Sequence, residues 1–324
     1  MSSVRRYFYH SFPRRSKSGN DKGIEILSSI CQNGLLLVPE QVTWTDPTEA
    51  DGITPILAVQ RRACFTELAP EELLEHGKIF GPYAVEFEID ELRNLGALPV
   101  IYVPDKLESD EYCGAIGTLL LASLTSSATL IKNIAETVAS QVAALQVKLD
   151  FRNGRQVVRN FSANETAVIR EYLDLLQQAE GITFNDTRNA LLSMSSLFYP
   201  TENKKYTDDL AYYRQREWRV ISGAFLRGKP TTKVTTQLQA KELVTLDQEF
   251  FSKRLRFADG EFSIAEKCHY LKRLRARHVL EFARQIIVPG GKVDEATRLV
   301  RSYGFKLPVS EGATNQISRG SGAG

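Results

Sequence analysis

Residues 83–89 read YAVEFEI, and this stretch restricts the fold more than any other. Tyr83, Val85, Phe87 and Ile89 fall on one side of an extended chain, with Ala84, Glu86 and Glu88 on the other. That period of two suits a strand with one apolar face, and such a strand needs neighbours and a core behind it. The surrounding chain offers both. Residues 4–12 are rich in Tyr and Phe, 35–38 read LLLV, 56–66 contain Ala63-Cys64-Phe65-Thr66, and 98–103 read LPVIYV. A helix is expected over 23–31, with Ile24, Ile26, Leu27 and Ile30 inward and Asn33-Gly34 ending it. A second starts at Pro70-Glu71-Glu72, with proline and acids in the first turn, and ends near His76-Gly77. Residues 1–107 thus read as one half of a β-rich core.

The pattern then changes. Residues 108–146 carry a helical apolar stripe, and 147–158 suit a hairpin turning at Asn153-Gly154. Ser162 with Glu165 forms a capping box that opens a helix, with Val168, Ile169, Tyr172 and Leu176 expected inward. Another helix covers 186–198 and stops before Pro200. Residues 108–199 therefore read as a helical insertion in an α+β protein. The second half of the core occupies 200–309, with a strand at 218–221, helix candidates at 239–256 and 265–285, a strand at 286–288 and a final helix at 294–303. The Gly/Ser-rich tail 310–324 is expected to be disordered.

Composition narrows the function. With 41 basic and 39 acidic residues the formal charge is +2, so no global field draws the chain to nucleic acid or an anionic membrane. The four cysteines lie far apart, without metal-ligand spacing, which argues against a metal site and for a reduced, cytoplasmic protein. The N-terminus lacks the long apolar run of a secretory signal. The most apolar window, 114–131, carries six hydroxyl side chains and reads as a packed helix, not a membrane span. No phosphate-binding glycine loop, zinc-hydrolase signature or nucleophile elbow is present.

Residues 212–223, YYRQREWRVISG, set Glu217 among arginines where a polar segment becomes an apolar strand. A carboxylate there can polarise a ribose hydroxyl or stabilise an oxocarbenium-like charge. It can equally pair with Arg216 or Arg219 on a strand surface. Arg219 can hold a phosphate bidentately. His10 ends the first strand beside Ser11, and can act as a base near neutral pH or simply pack. Arg61 and Arg62 can neutralise a pyrophosphate, and Phe65 or Tyr83 can stack on an aromatic ring; a solvated pair and core aromatics are the alternatives. Lys272, Arg273, Arg275 and Arg277 form a basic cluster that can contact nucleic acid or be a solvated helix face.

Three pieces, YFYHSF with its helix and NGLLL, then RRACFTEL…HGKIFGPYAVEFEIDELRNLGALPVIYV, then YYRQREWRV, together resemble the AbiGi-type abortive-infection family of bacterial phage defence. The first piece is also similar to the opening of ADP-ribosyltransferase-like folds. These resemblances imply a split β core with a large helical insertion and a helical C-terminal part. They imply an NAD cleft with His10 and Glu217 as catalytic groups, and Ser11, Arg61, Phe65, Tyr83 and Arg219 around the cofactor. The departures are a missing Ser-Thr-Ser strand and a Glu set inside EWR. Membership of the AbiGi family equally implies a non-catalytic antitoxin that binds a partner toxin or nucleic acid.

Overall fold

A 14-residue strand, β3 (Pro55–Leu68), is the axis around which most of the chain is arranged. β10 (Glu217–Ile221) runs antiparallel along one edge, from Glu217 opposite Thr66 to Ile221 opposite Arg62. Two strands share the other edge end to end. β1 (Tyr7–Phe12) pairs as far as Tyr9 opposite Thr66, and β2 (Leu35–Thr45) takes over at Val38 opposite Arg62. Thr66 and Arg62 each have a partner on both sides, which fixes β1 and β2 to the same edge. Between them β1 parts from β3 and continues paired with β4 (Tyr83–Phe87) alone. The sheet is therefore split alongside Ala63–Phe65. Beyond β4 come the strands Gln285–Val288 and Val309–Glu311, and beyond β2 lie His269–Leu271 and Lys233–Val234. In this ten-stranded sheet only the Gln285–Val288 and Val309–Glu311 pair is parallel.

The computed structural model describes residues 6–13, 22–45, 55–103, 116–139, 145–150, 156–181, 183–200, 216–222, 225–226, 229–257 and 260–312. The chain forms two units, one of residues 1–118 with 196–324 and one of residues 119–195.

Strand alternation sorts the first unit's side chains. Phe8, Phe12, Ala63, Phe65, Val85, Phe87 and Val220 share one face and form its core. α1 (Gly23–Asn33) covers that face with Leu27 and Ile30, and the helix Val293–Ser302 adds Ala296 and Val300. Each buried Leu, Ile or Val among these contributes about 1.5–3 kcal/mol. α1 stops where the sequence indicates. Gly34 holds φ 88°, and a Cβ there would meet the Leu271 carbonyl oxygen at 2.2 Å.

Several expectations need correction. β4 is not half-exposed. All five of its residues are buried, because Glu86 (2% exposed) is covered by Arg284 and accepts a 3.0 Å bond from Gln285 Nε2. The helix expected over 239–256 breaks at Asp247, which caps a new turn through the Phe250 N–H. The helix expected over 265–285 is mostly absent. Ser263 caps a single turn, Ile264–Lys267, after which His269–Leu271 joins β2 as a strand. Arg273–Leu274 and Arg277–His278 then form a hairpin. Ser310 and Glu311, assigned to the tail, pair with Ile287 and Val288.

The second unit holds most of α4 (Ile116–Ala139), the hairpin β7 (Leu145–Asp150) and β8 (Gln156–Phe161), α5 (Ala163–Glu180) and α6 (Phe184–Ser195). The Asn153-Gly154 turn lies outside the described residues. Ser162 and Glu165 form the expected capping box, the Ser162 N–H donating to Glu165 Oε2 at 2.8 Å. The inward face of α5 differs from expectation. Thr166 is buried, whereas Val168, Tyr172 and Leu176 are exposed. Among the described residues no helix is long and apolar enough to cross a membrane.

Candidate functional site

The face of the sheet opposite the core carries the polar residues of interest. Register places Glu217 opposite Thr66 and Arg219 opposite Cys64, while Trp218 between them points the other way and meets Phe8 edge-on at 5.3 Å. EWR is thus an ion pair astride a core anchor. Arg219 Nε donates to Glu217 Oε1 at 2.8 Å, and the guanidinium is 1% exposed. Arg216, expected as an alternative partner, turns instead to Glu72, with both contacts at 3.0 Å.

A second layer closes over the pair. β5 (Leu98–Pro99) pairs with β10, and β6 (Ile101–Val103) pairs in parallel with β9 (Phe198–Pro200). Tyr102 of β6 donates its hydroxyl to Glu217 Oε2 at 3.1 Å. The Cys64 thiol also donates to this carboxylate. Arg219 Nη1 reaches the Ser196 carbonyl at 3.0 Å and Gln60 Oε1 at 3.3 Å. Gln60 in turn accepts from Arg62 at 2.6 Å and donates to the Phe198 carbonyl at 2.9 Å. Arg62 pairs with Glu40. The Tyr199 ring lies 5.0 Å from the Arg219 guanidinium and 5.3 Å from that of Arg62. Two carboxylates balance two guanidiniums, and the network has the paired, hydrogen-bonded form in which buried charge is tolerated.

The electrostatics follow from this packing. Burial pushes Glu217 upward, but Arg219, Arg62 and the hydrogen bonds outweigh it and hold the carboxyl below its usual range. Burial, reinforced by Glu217, pushes the Cys64 thiol up to about 12. Cys64 nevertheless keeps accessible surface. A thiol held protonated in this way is a poor nucleophile.

The expected NAD constellation is not assembled. Tyr9 and Glu217 both lie opposite Thr66, so His10, the next residue along β1, points to the core face while Glu217 points away from it. The contacts agree, with the His10 ring 5.5 Å from Phe65 and 6.3 Å from Phe12. The imidazole has a structural task. Glu67 and Arg61 bond β10 through their backbone groups, so by alternation the Cys64 carbonyl points into the split, where no strand receives it. His10 Nδ1 supplies the missing donor at 2.9 Å. Burial lowers the pKa of His10, which keeps it neutral.

Phe65 and Tyr83 are fully buried, and a Cβ on Gly23 would lie 2.0 Å from the Tyr83 ring, so neither ring is open to a ligand. Arg61 points away from Arg62 and donates to the Lys267 carbonyl at 2.9 Å. Ser11 does share the Glu217 face, and its buried hydroxyl has no partner among the described residues. Lys272, Arg273, Arg275 and Arg277 are exposed on a hairpin rather than a helix, and Arg277 lies over the Phe282 ring at 4.0 Å. No cluster of three metal-ligating residues occurs among the described residues.

Sequence reasoning missed Tyr102, Tyr199, Gln60, Glu40 and the thiol of Cys64. Nothing local marks Tyr102 within LPVIYV, because its meeting with Glu217 is made by the pairing of β5 and β10 over 115 positions. The His10 assignment gives a direct test. His10→Ala removes the donor to Cys64 and should cost about 1–2 kcal/mol in urea unfolding. His10→Asn places an amide near the Nδ1 position and should recover part of the loss. Equal stability of all three proteins would contradict the assignment.

No curated protein and no solved structure matches the chain, so the ADP-ribosyltransferase likeness finds no support there. Residues 56–264, well over half of the chain, match the family model described as "Putative abortive phage resistance protein AbiGi, antitoxin". The matched span runs from β3 through the second unit and EWR to the Ser263 cap, and on that basis this chain belongs to the AbiGi family of abortive phage resistance.

Proposed function

We propose that this protein is the antitoxin of an abortive-infection system, holding a partner toxin by protein–protein contact and turning over no NAD. One observation carries the reading: both oxygens of Glu217 are engaged within the protein, by Arg219 and by Tyr102. Transfer of ADP-ribose needs a carboxylate whose oxygen can meet the ribose as charge develops. Glu217 is committed elsewhere, His10 faces the opposite side of the sheet, and the two aromatic rings suited to stacking are inside the core. The family description points the same way.

A contact to nucleic acid is the second reading, and one feature favours it. Lys272, Arg273 and Arg275 stand exposed on a hairpin whose tip residues, Arg275 and Ala276, hold φ of 50° and 70°. Left-handed φ at both loop residues is the two-residue turn that matches the twist of the flanking strands, and it presents Arg275 at the tip.

Co-expression separates these possibilities. Cells induced for the toxin of the same system should regain growth when this protein is present, and purified protein should incorporate no label from NAD. Failure to restore growth would end the antitoxin reading. Label transfer abolished by Glu217→Gln at an unchanged unfolding midpoint would restore the enzymatic one. A duplex-DNA shift lost when Lys272, Arg273 and Arg275 all become Ala would favour the second.

A further inference from the structure

Lys272, Arg273 and Arg275 stand exposed within four positions, and none of them forms an ion pair among the described residues. The carboxylates that border them are taken. Glu91 lies 3.9 Å from Arg277, and Glu281 accepts the His278 backbone N–H at 2.8 Å. Burial, helped by Lys272 and Arg273, lowers the pKa of His278 to about 4, so both cations act at one place. The hairpin that carries them is fixed at its base. Leu274 packs against the core, the Val279 N–H donates to the Lys272 carbonyl at 3.0 Å, and Arg277 lies over the Phe282 ring. Its two-residue turn is unusual only in sequence. Asn-Gly and Asp-Gly enter such a turn most readily, yet Arg275 and Ala276 occupy it with φ of 50° and 70°. The turn forgoes its preferred residues and carries a guanidinium at its tip.

Phosphate is the group this face suits. Guanidiniums meet phosphate oxygens through two parallel N–H donors, and a preset hairpin loses little freedom on binding. The surroundings narrow the source. No large apolar side chain is exposed in residues 269–284, so a lipid surface finds nothing there to receive. Tyr270 and Phe282 are buried, so neither ring is open to stack on the bases of a single strand. We propose that this hairpin grips the phosphate backbone of a duplex nucleic acid, with Lys272, Arg273 and Arg275 each meeting one phosphate. Such contacts position a duplex without reading its sequence. The proposal deepens the second reading above and rests on it, and it leaves the antitoxin reading untouched.

The test is fluorescence anisotropy of the full-length protein with a DNA duplex, the matching RNA duplex and one DNA strand alone, from about 50 to 200 mM salt. Three phosphate contacts predict that log affinity falls against log salt with a slope of about −2.7. Lys272→Gln, Arg273→Gln and Arg275→Gln should each reduce that slope by about 0.9. Arg275→Asn combined with Ala276→Gly should reduce it equally while raising the melting temperature, because the turn then holds the residues it prefers. Weaker binding from a more stable protein is not expected of a residue that only builds the turn. Binding to either duplex with these slopes supports the site, and the tighter duplex names the source. Duplex binding whose slope no variant changes overturns the site but leaves the second reading standing. A wild-type protein that binds no nucleic acid overturns both, with the antitoxin reading intact. Tighter binding to the single strand overturns the duplex assignment. Binding to phosphatidylserine vesicles and to neither duplex assigns the cations to a lipid surface and overturns the proposal. If the Asn-Gly variant unfolds, Lys272→Gln with Arg273→Gln, which leave the turn intact, decide.

Discussion

The ion pair between Arg219 and Glu217 fixes what the polar face of the sheet can be. A guanidinium with 1% exposure is tolerated only where it is paired and hydrogen-bonded; here Nε donates to Glu217, and Nη1 to Gln60 and the Ser196 carbonyl. That requirement draws in the rest. β6 and β9 must lie over the pair to deliver Tyr102 and Tyr199, and Gln60 must sit where it can link Arg219 to Arg62. The network joins five segments of the chain, around residues 40, 60–64, 102, 196–199 and 217–219, so it fixes how β10 returns to the sheet after residues 119–195. Specificity of this kind is a hypothesis for any buried charge network. Here it has a concrete form, since β10 shifted by one residue would place Glu217 and Arg219 in the apolar core.

The split in the sheet has a comparable logic. Parting β1 from β3 leaves backbone polar groups without a strand, and an unmet carbonyl is costly. His10 meets the one at Cys64 from the core side, while Cys64 keeps an opening on the polar side. The two residues best placed by sequence to be catalytic, His10 and Glu217, therefore resolve local problems on opposite faces. The imidazole completes hydrogen bonding, and the carboxylate neutralises an arginine.

How much of this was legible in the sequence depended on how local the cause was. α1 with its Gly34 stop, the Ser162 capping box and the strand following Arg216 are written in adjacent residues, and all appear. β4 looked half-exposed because its alternation is real, but what covers Glu86 comes from Arg284 and Gln285, about two hundred positions away. The 265–285 stretch carries helix-favouring residues and becomes strand and hairpin, because Leu35–Leu37 offers His269–Leu271 an edge. α5 misled in the opposite sense. Its apolar period is genuine, but the periodic face looks out to solvent. The separation of His10 from Glu217 was hidden for a sharper reason: strand parity decides it, and parity follows from which residue faces Thr66.

The most direct measurement is a double-mutant cycle on Glu217→Gln and Arg219→Met, read by urea unfolding at pH 7 and again in acid. Each single change should cost about 3–5 kcal/mol by stranding a buried partner, and the pair should cost less than their sum by at least about 1.5 kcal/mol. Because the folded carboxyl lies below its ordinary pKa, this coupling should hold above the unfolded-state value near 4.3 and vanish as pH falls through the lowered one. Additive losses within about 0.5 kcal/mol at pH 7 would contradict the account and return Glu217 to the carboxylates available for chemistry.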